Sequence, residues 1–208
     1  MSTPRSGAAL TSQDELRAIY PAVSQRAARK VIDRLDRHCR RFIELSPFCV
    51  LSTVGSDGGP DLSPRGGEPG FVRVPDEHTA VLPDRPGNYR LDNLANAVIR
   101  PAVALLFMVP GIEETLRVYG QAEVVTLERS RRLALGVDNK GRTELRITVT
   151  SAFFHCAKAI MRSRLWDPAM QVERDVLPTM GEILKDHTGL LGPVESQDEM
   201  RRRYQPDL

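Results

Sequence analysis

The stretch TAVLPDRPGNYRLDNLANAVIRPAVALLFMVP, Thr79 to Pro110, constrains this chain more than any other, because it holds two apolar runs apart by one turn and one short amphipathic segment. Val103 to Val109 is almost wholly apolar and is bracketed by Pro101 and Pro110. A run of that length suits a buried strand and is far too short to cross a membrane, which takes about 20 residues. Val81 and Leu82 close an earlier extended run, and Pro83 to Asn88 carry two prolines and a glycine as turn signals. Leu91, Leu94 and Val98 then recur at helical spacing until Pro101 stops the helix. The reading is strand, turn, short helix, strand. Arg85, Asn88, Arg90 and Asn93 gather at the loop and the helix start, where free backbone N–H groups and the positive end of the helix dipole favour a phosphate.

The rest of the chain supplies partners for these strands. FCVLSTV (Phe48–Val54) reads as a strand, GSDGGP as a hairpin turn, and DLSPRGG as a second strand interrupted by Pro64 and two glycines. Proline cannot donate to a ladder, so that segment belongs at an edge or a bulge. FVRV (Phe71–Val74), the turn PDEH and TAVLP continue the meander. ETLRVYGQAEVV (Glu114–Val125) is a long strand with a bulge expected at Gly120, and ELRITVTSAFFH (Glu144–His155) alternates cleanly. Helices are expected over Asp14–Glu44 with a break near Pro21, over Leu127–Leu135, as a turn or two in CAKAIMRSRLW, and after Pro178. In the first of these, Ser24 is the expected N-cap, and Val31, Leu35, Cys39 and Phe42 form the apolar stripe, with His38 beside it in no chemical role. The ending VESQDEMRRRYQPDL reads as charged and polar.

Together these elements predict a mainly β protein with helices (α+β), a small antiparallel barrel with helical decoration. Apolar residues are 41% and aromatics 5%, so the core is built from Val, Leu, Ile and Ala. A formal net charge of +2 and the scarcity of aromatics argue against a nucleic-acid or membrane partner. Basic charge is arginine apart from Lys30, Lys140, Lys158 and Lys185, which suits fixed recognition of phosphate and also tracks base composition. Cys39, Cys49 and Cys156 are few and scattered, which fits a reducing compartment and predicts no metal centre. With no signal-peptide core at the start, a cytoplasmic protein is expected. Neither GxGxxG nor GxxxxGK[ST] occurs.

Four clusters could carry chemistry. Ser63, Pro64, Arg65, Gly66 and Gly67 could let a flat ligand approach the backbone, or form a plain bulge. Arg85, Asn88 and Arg90 could hold an anion, or form a solvated turn. Glu114 to Arg117 begin a strand, and Lys158, Arg162, Ser163 and Trp166 follow the last one.

In order and spacing, FCVLSTVGSDGGPDLSPRGG, LPDRPGNYRLDNLANAVIRPAVALLFMVPG, ETLRVYGQAEV and CAKAIMRSRLWDP resemble the pyridoxamine 5′-phosphate oxidase-like family of FMN-binding split-barrel proteins, from about Phe48 to Pro168. The resemblance implies a split β-barrel over residues 47–168, with an N-terminal tail and helices over 1–46 and a helical tail over 169–208. It implies a homodimer holding FMN at the subunit interface, and an oxidoreductase acting on a small molecule. Ser63, Pro64, Arg65 and Gly66 would line the isoalloxazine ring. Asn88 and Arg90 would hold the phosphate and ribityl chain, with Arg85 and Asn93 nearby. Thr115 would reach the ring edge, and Lys158, Arg162 and Trp166 would approach from the C-terminal side. The flavin itself does the hydride chemistry, so no acid-base residue is assigned. RLWDP (Arg164–Pro168) is one residue longer than the ending with which the true oxidases hold pyridoxal phosphate, so a vitamin B6 substrate is not implied. Two other readings stay open: a deazaflavin-dependent reductase, and a non-catalytic flavin or haem binder with His78, His155 or His187 as axial ligand.

Overall fold

The computed structural model describes residues 9–127, 142–189 and 191–207. Strands β1 (Phe48–Val54), β2 (Pro60–Gly66), β3 (Arg73–Asp76), β4 (Thr79–Pro83), β5 (Ala102–Met108), β6 (Thr115–Thr126) and β7 (Thr143–His155) form one antiparallel sheet in the order β2-β1-β5-β6-β7-β4-β3. The two ends of the sheet, β2 and β3, are not paired to each other. This is the α+β, split-barrel arrangement that the sequence predicts, open along one seam.

Alternation decides which face is the core. Cys49, Leu51 and Thr53 of β1, Val103, Leu105 and Phe107 of β5, and Leu116 and Val118 of β6 are buried, while their neighbours along each strand are half-exposed. Helix α3 (Arg37–Leu45) covers this face with Cys39, Phe42 and Ile43, preceded by the fully buried Leu35. Each large aliphatic buried there contributes about 1.5–3 kcal/mol. The Asp36 carboxylate starts the helix by accepting the N–H groups of His38 and Cys39.

Two expectations need correction. The second strand is not interrupted: β2 keeps an unbroken register with β1 from Val54↔Pro60 to Phe48↔Gly66. Pro64 is tolerated because β2 is an edge, with no partner on its other side among the described residues. The helix expected through Glu44 is two helices, α2 (Gln25–Arg29, capped by Ser24) and α3. Between them Ile32 pairs with Ala152, exchanging N–H···O bonds of 3.0 and 2.7 Å, because β4 ends and leaves the far half of β7 an open edge. Val31 is accordingly exposed rather than on the stripe. The bulge expected at Gly120 is present, between Tyr119 and Gly120, with the unpaired residue, Thr150, on β7. Gly120 itself is required by contact, since a Cβ there would lie 2.3 Å from the Thr148 carbonyl oxygen.

Helix α4 (Asp92–Ile99) lies against β1, β2 and β6 where a helix is expected before Pro101, but it buries Asn93 and Ala97 and leaves Leu91 and Val98 of the expected apolar spacing exposed. The strand expected over Phe71–Val74 is shifted toward the turn, as β3. Helices α1 (Gln13–Ile19), α5 (Lys158–Ser163), α6 (Met180–Thr188) and α7 (Gln197–Tyr204) complete the described α-helices. The last is a helix where the sequence pattern announces only charge and polarity, and Ser196 and Glu199 form a capping box at its start. Past Leu127, the helix expected over Leu127–Leu135 lies outside the described residues.

Candidate anion and cofactor site

The edge strand β2 and the start of α4 share one polar cluster. Along β2 the residues alternate, so Asp61, Ser63 and Arg65 face α4 while Pro64 and Gly66 face away and are exposed. The Arg65 guanidinium donates to Ser63 Oγ, to the Pro64 carbonyl at 2.9 Å, and to Asn93 Oδ1 at 2.9 Å. Asn93 Nδ2 donates to Thr53 Oγ1 and to Asp61 Oδ2, both at 2.9 Å, and Asn96 Nδ2 reaches the same two oxygens at 3.1 and 3.2 Å. Thr53 and Asn93 are 1% and 4% exposed. Buried polar groups need such partners, because an unpaired one costs about 1–3 kcal/mol.

Above this cluster runs the loop from Asp84 to Leu91. Tyr89 and Leu91 both adopt positive φ, 58° and 57°, which turns the chain sharply around Arg90. Leu91 is the N-cap of α4 and no side chain caps the helix, so its first-turn N–H groups face outward without a side-chain acceptor. The Asn88 side chain accepts the Arg90 N–H at 3.1 Å, and Arg90 Nε donates to Asp92 at 2.8 Å. Arg85 leans toward the end of β2, where a Cβ on Gly67 would stand 3.4 Å from its Nη2 and 2.9 Å from Phe71 Cβ. Glycine at 67 therefore leaves room for the arginine. An uncapped helix start beside exposed guanidinium groups is suited to a phosphate dianion, which is best held by two or more fixed cations and N–H donors. These residues fit the phosphate end of FMN.

Behind Arg65, a cavity of about 10 Å³ is lined by Leu82, Pro83, Asp84, Leu94 and Leu145 as well as Arg65. Burial raises the Asp84 pKa above its ordinary value, against the Thr143 hydroxyl and the Arg65 charge, which lower it. A larger cleft of about 400 Å³ lies elsewhere, on the solvent side of α3, among Arg37, Arg40, Arg41, Glu44 and Glu77. It shares no residue with the cluster at β2 and α4.

The remaining sequence-chosen residues lie apart from that cluster. Thr115 pairs with His155 at the ends of β6 and β7. It is three strand steps across the sheet from Gly66, roughly 14 Å at ~4.8 Å per step. Lys158 and Arg162 lie on one face of α5, both exposed. Trp166 is half-buried and donates Nε1–H to the Ile112 carbonyl at 2.9 Å, which anchors the segment after α5 to the turn before β6. Among the described residues, no hydrogen bond or ion pair joins this group to Arg65, Arg85, Asn88 or Arg90. His78 and His187 are exposed. His155 is half-buried; burial, then the Arg117 and Lys30 charges, hold its pKa below the ordinary histidine value. Among the described residues, no three His, Cys, Asp or Glu side chains come together as metal ligands.

Sequence reasoning missed Thr53, Asp61, Asn96 and Asp84. Two periodic signals point to Asp61 and Asn96, and none to Thr53 or Asp84: Asp61, Ser63 and Arg65 at strand period two, and Asn93 and Asn96 one helical turn apart. What joined the two patterns was the packing of α4 on β1 and β2.

The sequence pattern of the family described as pyridoxamine 5′-phosphate oxidase matches residues 35–156. Among solved structures, similarity is found to HupZ of Group A Streptococcus, with 17% identity over 57% of this chain and 91% of that one and a TM-score of 0.45. A protein of Clostridium acetobutylicum, related to general stress protein 26 of B. subtilis and assigned to the pyridoxinephosphate oxidase family, shares 15% identity over 57% of this chain and 85% of that one, with a TM-score of 0.42. A conserved hypothetical protein of Mycobacterium tuberculosis shares 17% identity over 72% of this chain and 98% of that one, with a TM-score of 0.44. None of the curated proteins compared matches the chain. Among the described residues, no helix is long and apolar enough to cross a membrane.

Proposed function

The chain belongs to the pyridoxamine 5′-phosphate oxidase family, and from that premise we propose that it is an FMN-binding oxidoreductase acting on a small molecule. The observation that carries this reading is the uncapped start of α4 beneath Arg85, Asn88 and Arg90, with Arg65 held beside it on β2. Backbone N–H groups of α4 and the Arg85 and Arg90 guanidinium groups bind the phosphate, and Asn88 shapes the loop by accepting the Arg90 N–H. Arg65 sets a positive charge at the ring edge, with Ser63 as its neighbour, while Pro64 and Gly66 present a flat, side-chain-poor edge. When bound, the flavin supplies the hydride chemistry, and the protein supplies binding, orientation and charge.

Residues 47–168 form the cofactor-binding unit in this reading, with 1–46 and 169–208 as additions to it. The roughly 14 Å between Gly66 and Thr115 supports a site completed by a second copy of the chain. Thr115, Lys158, Arg162 and Trp166 then come from the partner subunit's face in a homodimer, with FMN between the two. The cytoplasm, where FMN and its reductants are available, is the proposed location.

The test is an absorbance spectrum of the purified protein before and after saturation with FMN and desalting. Bands near roughly 375 and 450 nm, the oxidised-flavin signature, retained at one per chain, support the reading. A protein that stays colourless overturns it, and the same titration with a deazaflavin then separates a reductase of that kind from a protein without flavin.

A further inference from the structure

We propose, resting on the reading above, that Asn93 never touches the cofactor and is instead the positioning residue that fixes Arg65 against it. The sequence places Asn93 among the cofactor contacts, because it stands in the first turn of α4. Its side chain, however, points inward and is 4% exposed. Both of its amide N–H groups are committed, one to Thr53 and one to Asp61, and its Oδ1 accepts from Arg65.

The orientation of that amide follows from charge. Asp61 presents only acceptors when ionised and Arg65 presents only donors, so the NH₂ end must face Asp61 and the oxygen must face Arg65. The reverse orientation would set donor against donor and acceptor against acceptor. Asn96 supports the arrangement by donating to the same Thr53 and Asp61 oxygens. Arg65 is thereby gripped at two points of its fork, by Ser63 and Pro64 through Nη1 and by Asn93 through Nη2. The remaining N–H groups of a planar, always charged guanidinium are then aimed in one direction. Three elements meet in this one amide: Thr53 comes from β1, Asp61 and Arg65 from β2, and Asn93 from α4.

The experiment compares the whole protein with Asn93→Ala, Arg65→Lys and the double variant. Lysine keeps the charge but lacks the fork, so it cannot hold Ser63 and Asn93 together. Each single change is expected to weaken FMN binding about tenfold, the size of one lost charge-assisted hydrogen bond. The double variant should be no weaker than the worse single one, and both single changes should move the reduction potential of bound flavin in the same direction. A merely structural role for Asn93 would leave that potential unmoved. Wild-type affinity and potential in Asn93→Ala, or additive losses in the double variant, would overturn the proposal.

A second measurement needs no flavin: the ¹⁵N side-chain signals of Arg65 in the cofactor-free protein. Slow rotation about its Nε–Cζ bond in the wild type, lost in Asn93→Ala or in the milder Asn93→Ser if alanine prevents folding, supports the proposal. Free rotation in the wild type overturns it without any variant. If the wild type retains no FMN but Arg65 behaves as stated, the cofactor reading falls and the positioning role stands.

Discussion

The two groups of residues that the family resemblance assigns to one cofactor differ in how their polar atoms are used. At β2 and α4, Arg65 and Asn93 are bound into a network with the buried Thr53 and the half-buried Asp61, Ser63 and Asn96. At the far ends of β6 and α5, Lys158 and Arg162 are exposed, and among the described residues neither side chain forms a hydrogen bond or ion pair. The first group is pre-organised by the fold. The second has its charge available and nothing within the described chain to hold it. The difference teaches that one fold can hold some of its polar side chains in fixed directions and leave others free for a partner or ligand to engage.

The largest test of that contrast is stability. Asn93→Ala strips Thr53 and Asp61 of a donor inside the protein and should cost about 2–4 kcal/mol in denaturant unfolding. Lys158→Ala with Arg162→Ala should cost less than about 0.5 kcal/mol. Equal losses would erase the distinction between the two groups. Next comes binding: reversing the charges with Lys158→Glu and Arg162→Glu should weaken FMN about tenfold or more at low salt, by a margin that shrinks as salt is raised. An affinity indifferent to both charges would remove α5 from the site.

Cysteine chemistry sharpens the contrast by smaller means. Burial pushes the Cys39 and Cys49 thiols up to about 12, whereas Cys156, at the start of the segment leading into α5, is exposed. A thiol reagent at neutral pH should therefore label one cysteine per native chain quickly and the other two only on unfolding. Rapid labelling of Cys49 would mean that the part of the fold carrying Arg65 opens readily.

The smallest effect is that of Asp84. Its pKa is raised in the fold, so the folded protein holds more protons than the unfolded chain between the ordinary aspartate value and the raised one. Stability should therefore fall as pH rises through that window, and Asp84→Asn should flatten this part of the profile. A decline unchanged in the variant would assign it to other groups.

Much of this could be read before any coordinates. Val103–Val109, the alternation in Glu144–His155 and the turn residues at Pro83–Asn88 announce strands and the turns between them, because strand burial has a period of two whatever the neighbours are. Less legible was the break between α2 and α3. Residues around Ile32 carry a helical pattern, but the open edge of β7 offers Ile32 two backbone hydrogen bonds and wins the competition. The capping box Ser196–Glu199 marks the start of α7, but the helix buries no residue and so leaves no apolar stripe in the sequence.

The sequence by itself determined the kinds of elements, the edge position imposed by Pro64, and the concentration of arginine and asparagine around Arg85–Asn93. Those depend on local sterics and on periodicity, which act over a few residues. Only the tertiary structure decided that Asn93 faces inward to Thr53 and Asp61, that Arg65 is gripped from α4, and that Thr115 stands far across the sheet from Gly66. A hydrogen bond between residues 28 or 40 positions apart leaves no local periodic trace. It exists because α4 packs on β1 and β2, and packing depends on the whole sheet at once.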